Sequence, residues 1–263
     1  MSYETLTYEF ADGVGTITLD RPDAANSLNA KMGEELLEVA THCDSDPSVR
    51  AVILTGKGKM FCAGGDLKSF VAQGDKMGEH MRYLTTGLHA AVSRFARMNA
   101  PLIVAVNGTA AGAGFSLSII GDLIYAGESA KFTEAYTRIG VSPDGSSSYF
   151  LPRLVGPLMA KRLILLNDLL TAEQAKDMGL VVDVFPDDEL MAKVTAIAKE
   201  FAQGPTKAFG EAKRLVVDSL SNTLETQMEM ETRAIAGLAT YTHDAKEGMT
   251  AFTEKRKPNF KGE

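Results

Sequence analysis

"PLIVAVNGTAAGAGFSL", residues 101–117, changes character twice. It opens as an unbroken apolar run led by a proline, the pattern of a strand buried on both faces. A turn at Asn107 and Gly108 closes the run, glycines and alanines follow, and an apolar helical segment comes last. Small residues between a strand and a helix let another backbone or a ligand approach closely, and the first helical amides lack intrahelical acceptors. The same order of elements stands upstream, where the buried strand "VRAVILTG" (49–56) runs into "GKMFCAGGDLKSF" (58–70). Taken singly, either turn reads better as a place of close helix packing. As a pair they can aim two backbone N–H groups at one oxygen, which is how an oxyanion hole is built.

Working outward, "VGTITLD" (14–20) alternates like a strand, and "AKMGEELLEVATHC" (30–43) has helical spacing with Ser27 and Asn29 as cap candidates. "GEHMRYLTTGLHAAVSRFARM" (78–98) reads as a long amphipathic helix. "GDLIYAGES", "AKFTEA" and "LVVDVFP" (180–186) carry shorter strand signals. From Asp187 the pattern becomes purely helical, through "DDELMAKVTAIAKEFAQG", "TKAFGEAKRLVVDSL", "TLETQMEMETRAIAGLA" and "HDAKEGMTAFTEKRK". Strands alternating with helices predict an α/β layer fold over residues 1–186, and the helical tail (187–263) predicts an annex or assembly element.

Composition narrows the function classes. The apolar and charged fractions, 45% and 23%, are those of an ordinary globular protein. A net charge of -7 argues against a nucleic-acid face. It argues mildly against an anionic ligand too, unless a local basic patch such as "FTEKRKPNFK" (252–261) overrides it. Cys43 and Cys62 lack metal-ligand spacing, so neither a zinc site nor a disulfide framework is expected. The start has no signal-peptide pattern and no apolar run approaches a membrane span, so a cytoplasmic protein without membrane attachment is expected.

Familiar ligand motifs are missing. "GTAAGAGF" lacks Gly-x-Gly-x-x-Gly, "TGKGKM" lacks the spacing and hydroxyl of a P-loop, and "GSSSY" has Tyr149 where a nucleophile elbow needs glycine. His42, His80, His89 and His243 are scattered, and His89 reads as a helix-surface or core residue. "GVSPDGSSSYF" (140–150) differs, because Asp144 is its one carboxylate among small, apolar and hydroxyl side chains. An Asx turn would explain it, and so would a single acid held in a pocket.

Six segments in order carry a family resemblance: "LDRPDAANSLNAKM", "FCAGGDLKSF", "PLIVAVNGTAAGAGFSL", "KFTEAYTRIGVSPDG", "TAEQAKDMGLVVDV" and "AFTEKRKPNF". Along essentially its whole length the chain resembles the crotonase (enoyl-CoA hydratase/isomerase) superfamily. The resemblance implies a spiral of ββα units with a C-terminal helical region that assembles trimers, often paired into hexamers. It implies an acyl-CoA thioester ligand and no separate cofactor or metal, since CoA is part of the substrate. Carried over by position, the backbone from Ala63 through Gly64, Gly65 and Asp66 to Leu67 resembles the adenine-binding stretch. The amides of Gly65 and Ala113 resemble the oxyanion hole, and Phe252 and Lys255 the C-terminal cover of CoA.

The departures bear on the reaction. Hydratases of this superfamily carry two glutamates, at positions that here are Ser116 and Tyr136. Both remain possible pocket residues, but the pair of carboxylates suited to adding water is absent. Asp144 stands where isomerases of the superfamily place a single acid. The resemblance therefore implies a double-bond shift from 3-enoyl-CoA to 2-enoyl-CoA by one carboxylate. A ring-epoxide isomerase, a hydratase, a thioesterase and a non-catalytic CoA-binding module stay open. Glu134 falls on the same strand face as Tyr136 and stays a possible site residue, but a solvated edge is the better reading.

Overall fold

The computed structural model describes residues 2–263. Its main sheet has six strands: β1 (Leu6–Ala11), β2 (Val14–Leu19), β3 (Ala51–Gly56), β5 (Leu102–Val106), β7 (Leu123–Gly127) and β10 (Asp183–Phe185). They lie in that order, with β1 antiparallel to β2 and every other pair parallel. A second sheet of short strands, β4 (Met60–Cys62), β6 (Thr109–Ala111), β8 (Lys131–Thr133) and β9 (Leu170–Thr171), runs alongside in the order 4-6-8-9. Three times the chain places one strand in the large sheet, the next in the small sheet, and then forms a helix. Each such ββα turn advances both sheets by one position, which is the expected spiral.

The unbroken apolar runs now have a cause. In β3, Val52 and Leu54 enter one core while Ala51 and Ile53 enter another; in β5, Leu102, Val104 and Val106 oppose Ile103 and Ala105 in the same way. The larger core is shared with α1 (Ala30–Ser45) and α3 (Met77–Arg97). The smaller core is closed by Leu190, Val194, Ala198 and Ala202 of α7 (Leu190–Ala202). Thus the first helix beyond Asp187 completes the α/β layer. The helices α8 (Thr206–Ser219), α9 (Leu224–Tyr241) and α10 (His243–Thr253) form the outer annex. Asn29, not Ser27, caps α1, its side chain accepting from the Met32 amide at 2.9 Å.

Two helices and a long kinked one surround the turns. They are α2 (Leu67–Val71), α4 (Ala113–Ser118) and α5 (Ser147–Leu166); α6 (Ala172–Asp177) leads into β10. Gly114 of α4 lies against β4 so closely that an added Cβ would stand 2.1 Å from the Cys62 carbonyl oxygen. Only glycine permits that approach, and it brings the two turns together. None of the described helices is long and apolar enough to cross a membrane.

Candidate active site

The two glycine turns meet at one wall of a cavity of about 310 Å³. Gly64 has φ +100° and Gly112 φ +52°, backbone conformations that L side chains rarely adopt. A Cβ on Gly64 would lie 2.8 Å from the Ala111 carbonyl oxygen and 3.4 Å from the Ala113 nitrogen, so the turns touch. The segment after β2 holds the first turn in place. Ala63 N–H donates to Ala25, Leu28 N–H to Gly64, and Asp66 N–H to Leu28, all within 3.0 Å. The Gly64 N–H points to Cys62 Sγ at 3.4 Å, and the Gly65 N–H between it and Asp66 is left without a protein acceptor among the described residues. Ala113 is the first residue of α4, and its N–H is equally unpaired there. Two free amides on one cavity wall are what an oxyanion hole requires.

Ala63, Gly64, Gly65, Leu67 and Ala113 all line the cavity. Asp66 does not, because its carboxylate caps α2 and meets Arg21 at 3.0 Å. Burial opposes ionisation of Asp66, but the Arg21 and Ser69 hydrogen bonds hold its carboxyl below the usual range. Phe252 and Lys255 do not line the cavity of their own chain, and Phe252 is 85% exposed.

Asp144 lies in the loop between Tyr136 and the start of α5, and is the only acid lining the cavity among the described residues. Its carboxylate Oδ1 lies 2.8 Å from Nε2 of His89, on α3. Oδ2 has no protein partner among the described residues. His89 is an exposed residue of α3, in line with the helix-surface reading, and has in addition a specific partner. It pairs with the candidate catalytic acid across 55 residues, and nothing local in an amphipathic helix signals that.

Tyr136 lines the cavity, whereas Ser116 is fully buried beneath it. Burial pushes the Tyr136 hydroxyl well above its usual range, so it is a neutral O–H donor, not a base. Cys62 is buried behind the first turn, and burial pushes its thiol up to about 12, which leaves it inert.

Glu134 corrects an expectation. It is 1% exposed rather than a solvated edge; Ser147 Oγ donates to its Oε1 at 2.8 Å, and Oε2 is buried without a partner. Burial pushes its carboxyl up from 4.5 to about 7. The folded protein keeps a proton that the unfolded chain releases, so stability falls as pH rises from about 4.5 to about 7 and then levels. Glu134→Gln should flatten that slope and stabilise the protein above pH 7 by on the order of 2–3 kcal/mol. Urea unfolding of both proteins at pH 5 and pH 8 checks it; equal slopes with pH would refute it.

Two free amides and a lone carboxylate thus line one cavity of an α/β spiral. The sequence matches the profile of the enoyl-CoA hydratase/isomerase family over residues 9–263, and the chain belongs to that family. It is similar to the 1,2-epoxyphenylacetyl-CoA isomerase of Escherichia coli strain K12, with 37% identity over 95% of each chain. It is 34% identical to 4-chlorobenzoyl coenzyme A dehalogenase-2 of an Arthrobacter species, over 95% of this chain and 91% of that one. Further relatives at 35–38% identity carry enoyl-CoA hydratase names. Among solved structures, an enoyl-CoA hydratase of Bacillus anthracis superimposes with a TM-score of 0.92 at 35% identity, covering 99% of this chain and all of that one.

Proposed function

We propose that the protein isomerises an acyl-CoA thioester, moving a double bond from position 3 to position 2. One observation carries the reading: the cavity with two free amides is lined by a single acid, Asp144. In this reaction Asp144 takes a proton from C2, the Gly65 and Ala113 amides stabilise the dienolate oxygen, and the same carboxyl returns the proton to C4. No water is consumed, so no second carboxylate is needed. The residues at the hydratase glutamate positions, Ser116 and Tyr136, support this, since neither hydroxyl serves as a base near neutral pH. The test is turnover of 3-hexenoyl-CoA beside hydration of crotonyl-CoA. Fast isomerisation with poor hydration is expected; the reverse would overturn the proposal. The E. coli relative suggests a ring-epoxide substrate for the same one-acid site, and its turnover would reassign the substrate but not the base.

The His89–Asp144 contact, with the Arthrobacter relative, favours a second reading. A carboxylate beside an imidazole can attack the chlorine-bearing ring carbon of a 4-chlorobenzoyl thioester, and chloride leaves as the aryl ester forms. The imidazole can then activate the water that hydrolyses the ester to the free carboxylate and a phenol. Chloride release from 4-chlorobenzoyl-CoA would establish it.

The same proposal includes assembly as a homotrimer or dimer of trimers. Large apolar side chains on α9 and α10 stand in solvent in the single chain, among them Ile235 (70% exposed) and Tyr241 (84%), beside Phe252. Packing of copies would cover them and could carry Phe252 and Lys255 to a neighbour's CoA. Sedimentation at micromolar concentration should give a trimer or larger. Lys255→Ala should weaken CoA binding a few-fold at low salt and reduce its salt dependence, because an exposed lysine–phosphate contact is screened. Titrations by calorimetry at two ionic strengths decide it, and identical binding of both proteins would remove Lys255 from the nucleotide site.

A further inference from the structure

We propose that Ser116 and Tyr136 are positioning residues for Asp144. The inference rests on the one-carboxylate reading and assigns a role to the two residues that replace the expected glutamates. Ser116 Oγ lies 2.7 Å from the Asp144 carbonyl oxygen, Tyr136 Oη lies 3.0 Å from the same oxygen, and the two hydroxyls are 2.8 Å apart. Two O–H protons thus serve a triangle of three short contacts. Ser116 Oγ also lies 3.4 Å from the Gly112 carbonyl oxygen, but its 2.7 Å contact to Asp144 is the shorter, so the Asp144 carbonyl is the better acceptor.

The triangle is buried, with Ser116 at 0% and Tyr136 at 8% exposure, so a missing donor would not be replaced cheaply by water. It matters because the loop's own backbone bonds hold Asp144 weakly. Gly140, Gly145 and Ser146 all have positive φ, and the backbone bond from Ser147 N–H to the Asp144 carbonyl is long at 3.4 Å. Asp144 is instead held at two points: its carbonyl by Ser116 and Tyr136, and its carboxylate by His89.

Ser116 also belongs to the same turn of α4 as Ala113. The clasp therefore ties the base to one oxyanion donor, and their separation no longer depends on the loop. A larger residue at 116 would break this arrangement, since an added Cβ on Gly145 already lies 3.0 Å from the Ser116 Cβ. A glutamate there would displace the Asp144 loop rather than supply a second acid.

The test compares Ser116→Ala, Tyr136→Phe, the double variant and Asp144→Asn in 3-hexenoyl-CoA turnover. Each single variant is expected to lower kcat by about 10-fold with KM changed less than twofold, as misplacement of a base does. The double variant should fall little further than the worse single one, because the hydroxyls act as one unit. Thermal unfolding keeps a folding defect visible, and Ser116→Ala, which deletes one oxygen, serves if Tyr136→Phe fails to fold. An inactive Asp144→Asn beside a fully active double variant would overturn the clasp alone. A raised KM at unchanged kcat would overturn it too, making the two residues acyl contacts. An active Asp144→Asn would instead remove the one-carboxylate reading beneath it.

Discussion

Asp144→Asn is expected to reduce 3-enoyl-CoA isomerisation by about 10²–10⁴-fold, towards the upper end, while CoA-thioester binding changes little. The upper end follows from the double use of one group, which both removes the C2 proton and delivers it to C4. A thioester α-proton is far less acidic than a carboxylic acid, so the transfer proceeds only if the base is correctly placed and the enolate is stabilised. Asparagine keeps the size of the side chain and an oxygen that can accept from His89, so the loop should hold its shape. Absorbance of the conjugated product measures turnover, and calorimetry with a saturated acyl-CoA measures binding. A variant retaining a tenth or more of the activity would return Asp144 to the role of a turn residue.

The second large effect is expected from the Ala113 amide. Ala113→Pro should lower kcat by roughly 10²–10³-fold, the usual consequence of losing one oxyanion donor. The position makes the test clean. Ala113 is the first residue of α4, where the N–H has no helical acceptor and where proline is tolerated. The preceding Gly112 can adopt conformations closed to other residues, which eases its place before a proline. Ala113→Gly keeps the N–H and should stay within a few-fold of wild type. If the proline variant folds, by circular dichroism and melting, and turns over normally, the Ala113 amide does not hold the thioester oxygen.

Much of this architecture was legible in the chain because burial leaves a local trace. The apolar runs of β3 and β5 reflect cores on both faces, and α1, α3, α8, α9 and α10 follow from periodicity. By contrast, α5 gave no periodic signal. Pro152, Pro157 and the non-helical Gly156 interrupt it, and apolar residues surround it on most sides. β1 was missed too, since its pairing with β2 leaves much of it exposed and gives no apolar run.

By itself the sequence determined the α/β layering, the two glycine turns and the lone aspartate in its loop, because glycine spacing and apolar runs are read along the chain; the spiral was implied only by the family resemblance. Tertiary structure decided which groups face each other. Through it the Gly65 and Ala113 amides share a wall, His89 meets Asp144, Ser116 and Tyr136 hold its carbonyl, and Glu134 is buried against Ser147. Strand alternation states only the side on which a residue such as Glu134 emerges. Whether that side meets water or protein depends on the element packed over it, here the start of α5, which no local pattern records.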